Sequence, residues 1–145
     1  NIILEFDFGH FNVTTENVQN LWNLVIKNNY EKGVILEPYN EVQLKTIKAI
    51  SSKTNIIYVG CDKDLQVPEI LKDFDFAVIG LNYKKVGDET ELARKIHEKG
   101  FKAASSVINP VPENPIKKLN ELINMGFDYI YVDSIPYSEI NSLTE

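Results

Sequence analysis

The feature that most constrains this chain is an alternation. Six short runs rich in Val, Ile, Tyr and Phe give way in turn to longer amphipathic segments. The expected strands are Ile2–Phe8, Gly33–Glu37, Asn55–Gly60, Phe76–Leu81, Lys102–Ile108 and Tyr129–Val132. Most are continuous apolar runs, as strands covered on both faces read. The expected helices are Thr15–Asn29, Glu41–Ser52, Pro68–Phe74, Glu89–Lys99, Pro115–Met125 and Ser138–Leu143. Thr14 or Thr15 can cap the first helix, and Asn114 followed by Pro115 is an N-cap with proline at the first helical position. Gly100 and Gly126 stand where a helix end wants a left-handed residue. Strand–helix alternation of this kind demands parallel strands joined by right-handed crossovers.

Two α/β architectures satisfy that demand: an incomplete TIM-barrel-like (β/α) repeat of about six units, or an open doubly wound parallel sheet. A full eight-unit barrel takes about 250 residues, and this chain has 145, read as one domain over 1–145. It opens NIILEFDF, directly inside a strand, which is the expectation for a fragment of a larger protein. An apolar content of 43% with 25% charged residues is ordinary for a globular chain. No run approaches the roughly 20 apolar residues of a bilayer span. A net charge of −6 argues against a nucleic-acid partner. The lone Cys61 ends an apolar run and reads as a buried small hydrophobe. GHFN after the first strand is not a glycine-rich phosphate loop, so a nucleotide site is not expected.

In both architectures chemistry gathers beyond the C-terminal strand ends. Those exits carry Glu5 with Asp7, Glu37, Cys61 with Asp62, Asn82, Asn109 and Asp133. Glu5 and Asp7 are two apart on one strand and share a face. If Leu4, Phe6 and Phe8 cover the helical side, the two carboxylates point inward. Held there, they repel each other unless a hard divalent ion such as Ca²⁺ or Mg²⁺, basic side chains or water neutralise them. Glu37 before Pro38 is either a ligand or a solvated loop carboxylate. Asp62 in CDKD reads as a turn residue. Asp133 faces the centre if Ile130 and Val132 face the helices; otherwise it caps the loop that follows. His10, in FGHFN, could reach a ligand as acid or base, or lie on a surface loop. His97 and Trp22 read as structural.

The segment Phe101–Pro136 resembles the closing third of a glycerophosphodiester phosphodiesterase barrel. In that family a helix ending in Gly precedes a "GxDxIxTD" strand and a Pro. Gly126, Asp128, Ile130, Val132, Asp133 and Pro136 stand at those positions. Leu4-Glu5-Phe6 is similar to the family's "lEiK" element, Val34–Asn40 to "viiSFn", and His97–Phe101 to "ahekGl". The resemblance implies a metal-dependent hydrolase that cleaves a glycerophosphodiester, a phosphoric diester hydrolase. It would make Glu5 a metal ligand, with a divalent cation polarising the phosphoryl oxygens.

Other positions depart from the pattern. The family's histidine–arginine box, "ENT" glutamate, E-x-D pair and second histidine do not occur here. Asp7 replaces the lysine of "lEiK", and Ser105–Ser106 stand where "WT" is expected. These departures favour a degenerate domain that acts as a binding or structural module for a glycerophosphate- or glycan-type ligand. Glu5, Asp7, His10, Glu37 and Asp133 would serve its site, and the chain alone would be inactive. The alternative is the C-terminal portion of an active enzyme. An open sheet of this kind leaves two strand edges, which are expected to be covered in a homodimer or by further segments of a parent.

Overall fold

The computed structural model describes residues 4–9, 13–61, 64–81, 91–106 and 114–132. Among them, β1 (Leu4–Asp7) leads to α1 (Thr15–Lys27), β2 (Val34–Glu37) to α2 (Glu41–Ile50), and β3 (Asn55–Tyr58) to a 3-10 turn at Glu69–Asp73. Then β4 (Phe76–Gly80) leads to α3 (Leu92–Glu98), β5 (Lys102–Ser106) to α4 (Pro115–Asn124), and β6 (Tyr129–Tyr131) follows. The described elements fall within the expected ones, save that Pro68–Phe74 holds a 3-10 turn and not an α-helix. Its backbone bonds run from the Leu71 amide to the Pro68 carbonyl and from the Phe74 amide to the Leu71 carbonyl, the i→i+3 pattern of a 3-10 turn. The expected helix at Ser138–Leu143 lies outside the described residues.

Local chemistry sets the boundaries. The Thr14 hydroxyl accepts the Asn17 amide at 3.2 Å and starts α1. Asn114 does the same for Lys117 at 2.8 Å, with Pro115 just inside α4. Gly126 closes α4 at φ 85°, a left-handed conformation that glycine adopts without steric cost.

All six strands are parallel, and their order in the sheet is their order in the chain. A doubly wound sheet must reverse its strand order and carry helices on both faces. Neither holds here, so that alternative is set aside. The core has two unequal parts. The larger joins Val18, Trp22 and Val25 of α1, Leu44 and Ile47 of α2, Ile96 of α3 and Leu119 and Leu122 of α4 to Phe8, Val34, Leu36, Ile56, Ile79 and Ala103. The smaller, built around Ile57, Val59, Val78 and Ala104, contains no helical residue. One face of the sheet is therefore helix-covered and the other faces inward.

The sheet also curls. A flat sheet would hold its first and last strands five spacings apart, about 24 Å. A tyrosine and a glutamate together reach only about half of that. Yet the Tyr131 hydroxyl on β6 bonds Glu5 on β1 at 2.6 Å. The chain is an α/β half-barrel. Period-2 alternation then decides orientation: Val34 and Leu36 are buried against helices while Ile35 and Glu37 turn inward. Burying each such aliphatic side chain contributes about 2 kcal/mol, so the register is strongly held.

Candidate functional site

The mouth of the half-barrel lies at the C-terminal ends of β1 and β2. Register places Asp7 beside Glu37 and Glu5 beside Ile35. Phe6 and Phe8 pack on the helical core, which turns Glu5 and Asp7 to the concave side as the sequence implies. After Glu37 the buried Pro38 ends the strand, and the Asn40 side chain caps α2 by accepting the Gln43 amide at 3.0 Å. Gln43 ties the two exits together. Its Oε1 accepts the Tyr39 amide at 2.7 Å, and its Nε2 donates to the Phe8 carbonyl at 3.0 Å.

Tyr39 and Tyr131 organise the carboxylates. The Tyr39 hydroxyl donates to Glu37 Oε1 at 2.7 Å. The Tyr131 hydroxyl lies 2.6 Å from Glu5 Oε1 and 3.2 Å from Glu37 Oε2. A hydroxyl has one proton to give, and the shorter distance assigns it to Glu5. Asp7 Oδ1 accepts the Gly9 amide at 2.6 Å. Burial pushes the Glu37 carboxyl up to about 8. Its shared bond with Glu5 and the negative charges of Glu5 and Asp7 push the same way, against the bond from Tyr39. The protonated form of Glu37 is therefore favoured well above the pH range of an ordinary carboxyl. Burial first, then bonding to Glu5 and Glu37, raises the Tyr131 hydroxyl far above the ordinary tyrosine value. Burial and Glu37 do the same for Tyr39, and both hydroxyls stay protonated as donors.

These five side chains rim a cavity of about 340 Å³ whose inner wall is Val59, Gly80, Leu81, Ala104 and Ser105. Gly80 is required there by space: a Cβ would come within 2.6 Å of Val59 Cγ1. No Lys, Arg or His is among the described residues lining it. The mouth is acidic, hydroxyl-rich and floored by small apolar groups.

The structure thus brings together three of the expected site residues, Glu5, Asp7 and Glu37. Glu37 is no solvated loop carboxylate: it ends β2, half-buried and bonded to two tyrosines. His10 and Asp133 lie outside the described residues, as do Asp62, Asn82 and Asn109. Cys61 is fully buried, in keeping with its expected role. His97 pairs with Asp128 at 2.8 Å, and the same Asp128 oxygen accepts the Ala103 amide at 2.8 Å, a structural tie between α3, β5 and the start of β6. Sequence reasoning missed Tyr39, Gln43 and Tyr131. For Tyr131 the signal was present, because Ile130 and Val132 facing the helices send Tyr129 and Tyr131 inward.

A divalent ion fits these residues poorly. Among the described residues, no group of three His, Cys, Asp or Glu side chains is arranged to hold a metal. One Asp7 oxygen is engaged by the Gly9 amide, and the Tyr131 hydroxyl already stands at oxygens of both Glu5 and Glu37. Glu5 would be the first ligand of any ion there, at the expense of that hydroxyl.

The curled parallel sheet has a counterpart among solved structures. A crystal structure of a candidate glycerophosphodiester phosphodiesterase from Galdieria sulphuraria superposes on the whole chain with a TM-score of 0.75. The two share that fold. The identity is 20%, and this chain spans 58% of that one. No protein-family model matches the sequence, and no curated protein matches it. The phosphodiesterase-like barrel expected from the motifs is thereby supported at the level of fold, while the chemistry at the mouth differs in kind from the resemblance. Asp7 stands where it implies a lysine, and Ser105–Ser106 where it implies an aromatic–threonine pair.

Proposed function

We propose that this half-barrel is a binding module of phosphodiesterase-like fold whose mouth takes a neutral, hydroxyl-rich ligand of the glycan type. The observation that carries this reading is the charge of the mouth: Glu5, Asp7 and Glu37 rim it, with no cationic side chain among the described lining residues. A phosphate placed about 4 Å from one ionised carboxylate meets a repulsion of about 4 kcal/mol at an effective dielectric of 20. A sugar hydroxyl instead donates to the same oxygens, and tyrosine rings supply apolar faces for the carbon skeleton. Between the glycerophosphate- and glycan-type ligands suggested by the sequence, the physical chemistry favours the glycan. Calorimetric titration with neutral mono- and disaccharides and with glycerol 3-phosphate tests this. Binding of a sugar with no heat from glycerol 3-phosphate is expected; preference for the phosphate would overturn the reading.

A second reading, hydrolysis of a glycerophosphodiester, draws support from the fold likeness alone. Glu5 would then hold a divalent cation that polarises the phosphoryl oxygens. Release of glycerol 3-phosphate from a glycerophosphodiester in Mg²⁺ or Ca²⁺ would replace the module reading with this one.

A further inference from the structure

We infer that Tyr131 is a positioning residue that takes the place of a cation in this mouth, and so selects neutral ligands over metal ions. The inference deepens the binding reading above and rests on it for the ligand class alone. Two glutamates on adjacent strands, facing the same hollow, need a donor, a shared proton or a cation between them. In most acidic pockets that partner is a basic side chain or a metal. Here it is a hydroxyl carried in from the far edge of the sheet, from β6 to β1 and β2.

Position explains why it can do so. Tyr131 ends β6 on the concave face, alternate to Ile130, which packs on the helical core. Its side chain is long enough to cross the mouth of a curled sheet, and a valine or threonine there would not be. The bond to Glu5 at 2.6 Å is in the range of charge-assisted O–H···O⁻ contacts. The ring, half-buried beside Val59 and Ala104, holds the hydroxyl in line. A cation entering between Glu5 and Glu37 must first displace this donor and then leave it without an acceptor in a partly desolvated site. A sugar hydroxyl faces no such contest, because it can accept from Tyr131 or donate to the remaining carboxylate oxygens.

Tyr131→Phe removes the hydroxyl and keeps the ring. The test is calorimetric titration of Ca²⁺ and Mg²⁺ into the wild-type chain, Tyr131→Phe and the double variant Glu5→Gln/Tyr131→Phe, with circular dichroism to verify that each folds. Losing one bond to a charged group should raise ion affinity at least about ten-fold in Tyr131→Phe. The double variant should lose that gain. Equal affinity in wild type and Tyr131→Phe, including binding by neither, would overturn the inference. So would a gain that survives Glu5→Gln. If Tyr131→Phe fails to fold, Tyr131→Trp, which keeps an aromatic body without an acceptor-bridging hydroxyl, replaces it under the same criteria. Sugar binding is measured on the wild type separately. Its failure beside a clear ion contrast would remove the ligand class and leave the role of Tyr131 standing.

Discussion

Glu37 couples the mouth to pH. In the unfolded chain its carboxyl ionises near 4.5, whereas burial and its neighbours hold the folded group up to about 8. Protonated in both states below 4.5, it makes its full contribution to stability there. Between those values the unfolded state ionises first, so its contribution to stability is lost as pH rises towards 8. Glu37→Gln, an isostere of the protonated form, should leave stability unchanged at pH 4 and raise it at pH 8. The gain should be on the order of 1 kcal/mol after allowance for partial exposure. Urea unfolding at both values checks this, and a larger gain at pH 4 would contradict it. Asp128 has the opposite sign. Burial alone would raise its carboxyl, but the Ala103 amide and His97 outweigh that and hold it below 3.8. Its contribution is present above pH 3.8 and is lost as pH falls through the lower folded value. Asp128→Asn should cost up to about 1 kcal/mol at pH 7 and nothing in strong acid, read by the same unfolding series.

At the scale of elements, the junctions carry more of the site than the elements do. Gln43 opens α2 yet bonds the β1 exit at Phe8 and the β2 exit at Tyr39. Gln43→Ala should destabilise the chain by about 1–3 kcal/mol, because it removes the side-chain partner of two part-buried backbone groups. Thermal unfolding measures the loss, and a second variant, Asn40→Ala, should cost about 1 kcal/mol through the cap alone. Helix α4 shows the core side of the same balance. Leu122 is fully buried against the sheet, and Leu122→Ala should cost about 2–5 kcal/mol. The elements themselves were legible in the sequence, since Asn114-Pro115, Gly100 and Gly126 mark helix ends by mechanisms that act within a few residues. The role of Gln43 was not, because its partner at Phe8 lies 35 residues away. The 3-10 turn at Glu69–Asp73 was misread for another reason. Its apolar residues follow a helical pattern, and over five residues that pattern does not separate an α-helix from the i→i+3 bonding found there.

For the molecule as a whole, the open edges matter most. In the sheet as described, β1 pairs only with β2 and β6 only with β5. Beside β1, a cavity of about 490 Å³ is lined by Phe6, Phe8, Val13, Val18 and Leu21. Unpaired edges next to apolar surface are usually covered. Sedimentation should therefore show species heavier than the 16.6 kDa chain; a monodisperse monomer would contradict this. No helix among the described residues is long and apolar enough to cross a membrane. By itself the sequence determined the parallel strand–helix order, the helix caps and the shared face of Glu5 and Asp7. Each follows from periodicity or from contacts between near neighbours in the chain. Only the tertiary structure decided that the sheet curls, which puts Tyr131 within 2.6 Å of Glu5 across 126 residues. It also raised the Glu37 carboxyl, because burial and the nearness of other carboxylates depend on how distant strands are brought side by side.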